Sequence, residues 1–153
     1  MERISKDKYY LGIALAVCKR STCLKRRYGC VIVKNDEIIA TGYNGSPRGQ
    51  INCCDVGECK RMDVAHNTGD YSDCHSVHAE QNAMLSADRQ KMIGATLYLA
   101  GEERRWSKRN QLFFDWKEVE GVVPCPICAR MIMNAGISYV INGKGVLVLR
   151  ELI

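Results

Sequence analysis

Apolar residues recur at helical spacing near the start of the chain. Tyr10, Ile13, Ala14, Val17 and Cys18 predict an amphipathic helix over residues 6–20. The period then changes. Two β-branched runs, 30–33 and 38–43, flank Lys34-Asn35-Asp36-Glu37 and predict a hairpin. Residues 44–76 are rich in Gly, Asn, Asp, Ser and Cys with little periodicity, which predicts a long loop. Loops of that length usually carry function or are pinned by something. SVHAEQNAMLSADR predicts a helix with Ser76 as its N-cap. Strands are expected at 95–100, 137–141 and 146–149. Between the first two of these, CPICARMIMNAG predicts a helix with Pro126 in its first turn and Gly136 as its stop.

The resulting order is αββαβ, an insertion, then αββ. Strands alternating with helices imply a three-layer α/β domain with a mixed sheet. No repeat or linker divides the chain, so residues 1–153 are expected to form one domain, interrupted by an insertion at about 101–123. A domain of this length buries roughly 70% of its unfolded surface and needs no disulfide staples.

Composition adds two constraints. With 46% hydrophobic and 25% charged residues the chain has the balance of a globular protein, and no segment is long and apolar enough to span a bilayer. The net charge of +5 suits an anionic nucleotide, although a solvated basic surface explains it equally well. The nine cysteines are more informative. The N-terminal stretch is charged from Glu2, and its short apolar run leads into Lys19 and Arg20, so no signal peptide is read. The expected location is therefore cytoplasmic, where thiols stay reduced. Metal binding or catalysis then explains clustered cysteines better than disulfides do.

Two segments carry chemistry: His78-Ala79-Glu80 and Pro124-Cys125-Pro126-Ile127-Cys128. Each is weak alone, since a histidine at a helix start or a lone C-x-x-C has structural uses. Together they offer one imidazole and two thiolates, which leaves the fourth tetrahedral position of a zinc ion open to water. Zinc brings the pKa of such a water near 7. Glu80, two residues past His78, is too close along the helix to be the natural fourth ligand and is placed to carry the proton instead.

H-x-E followed by P-C-x-x-C is the signature of the zinc nucleobase deaminases. Further segments resemble the deoxycytidylate (dCMP) deaminase family: Gly42-Tyr43-Asn44-Gly45-Ser46-Pro47, the run His78 to Ala83, and Asn134-Ala135-Gly136-Ile137. The resemblance implies the cytidine deaminase fold, a five-stranded mixed sheet flanked by helices. It implies hydrolysis of dCMP to dUMP and ammonia, supplying precursor for dTTP, with Glu80 as proton shuttle. It also implies that Asn44 hydrogen-bonds the sugar and that the Ala79 backbone meets the base carbonyl. A dCTP effector near the Gly-Tyr-Asn-Gly region and a homo-oligomer are implied in the same way. Arg26 or Arg27 is a candidate clamp for the 5′-phosphate, against the plainer reading of a solvated basic helix end.

Seven cysteines remain. Cys18 and Cys30 fall on apolar faces and read as core. Family members similar to this chain carry cysteines in an Arg-Ser-x-Cys segment, in the long loop and shortly before His-Ala-Glu. On that resemblance a structural zinc is expected on Cys23, Cys53, Cys59 and Cys74. Spacing alone favours Cys54 over Cys53, and His66 and His75 are reserve ligands.

The insertion departs from the shorter family members. It contains every Trp and Phe in the chain, Trp106, Phe113, Phe114 and Trp116, along with Arg104, Arg105, Lys108 and Arg109. It reads as a lid, an oligomer interface, a stacking surface for single-stranded nucleic acid, or an amphipathic helix packed on its own domain. The alternative function is therefore deamination of cytosine or adenine in single-stranded DNA or RNA, or of another cytosine nucleotide such as dCTP.

Overall fold

The computed structural model describes all residues, Met1–Ile153. Its organising element is β1 (Arg26–Lys34), whose residues 30–33 are buried on both faces. Side chains alternate across a strand. Cys30 and Ile32 enter one core with Ala79, Ala83 and Ile132, while Val31 and Val33 enter a second with Tyr10 and Ala14. A strand sandwiched this way reads as an unbroken apolar run.

The first helix, α1 (Lys6–Cys18), is capped by Ser5 and lies on the second core. A two-residue turn at Asn35 and Asp36, both at positive φ, joins β1 to the antiparallel β2 (Glu37–Tyr43). Two further helices, α3 (Ala79–Leu85) and α5 (Pro126–Ala135), cover the other face. Next to β1 runs β3 (Thr96–Glu103), followed in the sheet by β7 (Tyr139–Asn142) and β8 (Gly145–Leu147). The order β2-β1-β3-β7-β8 has one parallel pair, β3 with β7, so the expected five-stranded mixed sheet is present, and a short strand of the insertion joins it as a sixth.

Several boundaries differ from expectation. The long loop contains a four-residue helix, α2 (Cys53–Val56). His78, not Ser76, caps α3, because Val77 is drawn into a β-bridge with Gly45. The predicted helix also breaks, since Asp88 caps a separate turn, α4 (Arg89–Met92). Leu149 begins a 3-10 turn instead of ending the last strand.

The insertion contains no helix. It holds a small hairpin, β4 (Trp106–Ser107) with β5 (Leu112–Phe113), and a strand β6 (Lys117–Val119) that pairs with the end of β3. That pairing is why β3 runs on past Ala100.

Two glycines set the close approach of helix to sheet. A Cβ on Gly29 would lie 1.9 Å from the Ala14 carbonyl oxygen, and one on Gly42 would lie 2.4 Å from that of Ala79. Gly42 thus has a packing reason, because it lets the helix bearing Ala79 and Glu80 rest directly on β2. Gly12, by contrast, meets nothing within 4 Å. Gly29→Ala should lower stability by about 1–3 kcal/mol or more, whereas Gly12→Ala in the helix interior should raise it by about 0.5–1 kcal/mol. Denaturant midpoints check both, and equal effects would contradict this packing.

Candidate metal centre

His78 and Cys125 are the N-cap residues of α3 and α5. An N-cap stands outside the helix on extended backbone, so both side chains are presented where the two helix starts meet. The His78 backbone N–H donates to Gln81 Oε1 at 2.9 Å, fixing the start of α3. Cys128 is the third residue of α5, and its N–H points at the Cys125 sulfur at 3.4 Å.

His78 Nδ1 lies 3.6 Å from Cys125 Sγ and 3.3 Å from Cys128 Sγ, with all three ligand atoms within 4.8 Å of one another. Tetrahedral zinc with bonds of about 2.0 Å to nitrogen and 2.3 Å to sulfur separates the two by about 3.5 Å. The donor set and spacing therefore fit zinc, with His78 binding through Nδ1. No other group of His, Cys, Asp or Glu is gathered in this way.

Glu80 is 5% exposed and lies against the Cys128 thiol. Burial pushes its carboxyl above the usual range, and its own backbone N–H and His78 partly offset this. Burial, then the Glu80 charge, pushes the Cys128 thiol well up. A divalent cation reverses that balance, since the bound form is the thiolate.

Residues 4–144 match the cytidine and deoxycytidylate deaminase zinc-binding region. The chain belongs to this family. It is 36% identical over 150 residues to a deoxycytidylate deaminase of Mycobacterium phage D29, covering 94% of this chain and 98% of that one. Over 91 residues it is 47% identical to a Schizosaccharomyces pombe deoxycytidylate deaminase, covering 59% of this chain but only 28% of that longer protein. Among solved structures, dCMP deaminase of cyanophage S-TIM5 in complex with dCMP and dUMP superposes with a TM-score of 0.59 at 27% identity, over 90% of this chain and 82% of that one. Cytidine deaminase from Mycobacterium leprae, 13% identical with a TM-score of 0.58 over 98% of both chains, shares the fold.

The other expected residues divide by position. Ala79 is fully buried, and as the first residue of α3 its N–H has no partner within the helix. Asn44 is buried and staples β2 to β1: its Oδ1 accepts from the Tyr28 N–H at 2.8 Å and its Nδ2 donates to the Arg26 carbonyl at 3.0 Å. The next residue, Gly45, bridges to Val77, which brings this segment beside His78. Arg26 and Arg27 open β1 instead of preceding it. By the alternation of the strand, Arg26 shares the face of Cys30 and the metal helices, and Arg27 shares the face of Val31 and α1. Arg26 approaches Glu103 only to 3.6 Å, and its Nε has no hydrogen-bond partner.

Of the loop cysteines, Cys53 is half-buried and Cys54 exposed. Burial raises the Cys53 thiol, as do the nearby Cys59, Cys23 and Cys74. No three of the loop sulfurs are gathered within 4.8 Å of one another, as the His78 group is.

The insertion's aromatics mostly stack on arginines. Arg27 lies 3.9 Å from the Trp116 ring centroid, and Arg104 lies 4.4 Å from Trp116 and 3.9 Å from Phe113. Trp106 packs on Phe113 at 4.7 Å. Sequence spacing gave no sign of this ladder, because its partners come from β1 as well as the insertion.

Stoichiometric zinc added to stripped protein should raise its thermal midpoint, because metal that binds only the folded chain stabilises it. Cys128→Ala should remove the part of that rise that comes from this site. A midpoint indifferent to zinc would contradict the site.

Proposed function

We infer that this chain hydrolyses dCMP to dUMP and ammonia, as a hydrolase of cytosine nucleotides. The observation that carries the reading is a buried carboxylate, Glu80, set against a three-ligand zinc site in a chain similar along nearly its whole length to a phage deoxycytidylate deaminase. His78, Cys125 and Cys128 would hold zinc, which would supply an acidified water as the nucleophile for C4 of the ring. Glu80 would carry the two protons of that water in turn, the first to the ring nitrogen and the second, taken from the new hydroxyl at C4, to the leaving amine. Its burial, which favours the protonated form, suits a group that must hold a proton between those steps.

The N–H at the start of α3, from Ala79, meets the base carbonyl. Asn44, pinned by β1 beside the bridge to Val77, positions the sugar. Arg26 clamps the 5′-phosphate: the Nε of both Arg26 and Arg27 lacks a hydrogen-bond partner, but Arg26 faces the metal helices, whereas Arg27 faces α1.

The finer assignments follow the same reading. A structural zinc on Cys23, Cys53, Cys59 and Cys74 pins the long loop, and the partial burial of Cys53 supports it over Cys54. dCTP acts as effector at the Gly42–Pro47 segment. Exposed Leu85, Ile127 and Met131 on the metal-bearing helices support a homo-oligomer. No helix is long and apolar enough to cross a membrane, and reduced thiols fit a cytoplasmic setting. Deamination of a polymer has less support, since Phe114 is the only Trp or Phe of the insertion that stands largely exposed.

Glu80→Gln should keep its zinc and lose about 10²–10⁴ in kcat on dCMP. An active variant defeats the assignment. Arg26→Ala should lower kcat/KM for dCMP about 10–100-fold while sparing deoxycytidine, the scale of a charged hydrogen bond. Arg27→Ala should spare both, and the reverse pattern would move the clamp to the α1 face.

A further inference from the structure

The two carboxylates that end β3 are treated differently. Glu102 is 7% exposed and is answered by two cations, Lys19 Nζ at 2.6 Å and Arg27 Nη1 at 3.6 Å. Glu103 turns to the other face of the strand, the face of Arg26 and the metal helices. There its Oε1 accepts a hydrogen bond from the Tyr28 hydroxyl at 2.9 Å. Arg26 Nε stands 3.6 Å from the same oxygen, too far for a hydrogen bond. Lys117, opposite Glu103 on β6, forms no ion pair. The carboxylate is thus held by a neutral phenol, with Arg26 beside it but not closed onto it.

The surrounding strands fix this placement. β1 and β3 pair with Tyr28 opposite Gly101 and Arg26 opposite Glu103. A Cβ on Gly101 would lie 2.5 Å from the Tyr28 ring and 2.7 Å from the Arg27 carbonyl oxygen. Glycine there lets the ring lie along β3 and carry its hydroxyl to Glu103, two residues on. From the insertion, β6 pairs with Gly101, Glu102 and Glu103 and keeps the end of β3 extended. Asn44 holds the Tyr28 N–H and the Arg26 carbonyl from the other side, one residue before the bridge from Gly45 to Val77.

Charge decides what such a pair accepts. An arginine alone attracts every phosphate of a nucleotide. With a carboxylate held beside it the pair carries no net charge, so it binds a phosphate only in direct contact with the guanidinium. One phosphate meets that condition. A second, beyond the guanidinium, gains no attraction from the neutral pair and meets the carboxylate. Placing like charge against like is a general way to reject a competing ligand.

We propose that Glu103, positioned by Tyr28, is a specificity residue that restricts the phosphate end of the site to a single phosphate. The proposal rests on the Arg26 clamp inferred above. Glu103 acts by its charge on a second phosphate, and Tyr28 acts only through Glu103. The insertion then has a part in substrate choice, because its strand β6 holds the segment that carries Glu103.

The test is kcat/KM for dCMP and dCDP, with turnover of deoxycytidine, which carries no phosphate, reporting that each variant has folded. Wild type should favour dCMP. Glu103→Gln keeps the shape and the acceptor for Tyr28 but loses the charge, and should narrow that preference about 10-fold, the scale of one unit charge near a protein surface. Tyr28→Phe keeps the ring on Gly101 but frees the carboxylate, and should narrow it by less. The difference between wild type and Glu103→Gln should shrink as salt rises, since screening weakens repulsion between partly exposed charges; lost packing has no such dependence. If Arg26→Ala impairs dCMP as expected but Glu103→Gln leaves the dCMP-to-dCDP ratio unmoved at low salt, the role of Glu103 alone is overturned. If Arg26→Ala leaves dCMP and deoxycytidine in their wild-type ratio, the clamp lies elsewhere and this proposal goes with it.

Discussion

The seating of α3 on β2 is the contact on which the site depends. At Gly42 the sheet has no side chain, and the Ala79 carbonyl occupies the space a Cβ would need. That contact fixes the height of the helix start, and with it His78 at the cap and Glu80 as the second residue of the helix. The second helix start, at Cys125, then has only to meet the first. Because two of the three ligands, His78 and Cys125, are caps and the third, Cys128, lies in the first turn of α5, the ligands are set by backbone entering two helices rather than by long flexible side chains. Interiors packed this tightly move little, so a proton shuttle buried against a ligand keeps its position through a reaction.

The parts of this arrangement that rest on local pattern were legible in the sequence. The helix periodicity of α1, the turn at Asn35-Asp36, and the Pro126 start and Gly136 stop of α5 all use neighbours along the chain. So does the donor chemistry of His78, Glu80, Cys125 and Cys128. What pattern did not reveal was set by partners distant in sequence. Ser76 lost the cap to His78 because Val77 pairs with Gly45. The start of β1 moved back to Arg26, since Glu102 and Glu103 extend β3 alongside it. The insertion became strands because its aromatics found arginines to stack on, one of them from β1.

Two regions of the protein solve the same difficulty, that of ordering chain with few apolar residues to bury. The insertion uses stacked rings and guanidinium planes, a contact worth most where water is partly excluded. The long loop wraps its backbone carbonyls around two cations, Lys25 and Arg61. Both lie at the end of the sheet where Arg26 and Arg27 emerge on opposite faces. The chain thus places its basic residues by strand alternation, one toward the metal helices and one into the ladder.

The central claim is that this zinc site acts on a free cytosine nucleotide. Ultraviolet absorbance of the zinc-loaded protein, followed with dCMP, cytidine, dCTP and a short cytosine-containing single strand, tests it most directly. The account predicts rapid loss of the dCMP signal, well ahead of the other three. Turnover of the strand with dCMP left intact would contradict it and reassign the site to a polymer substrate.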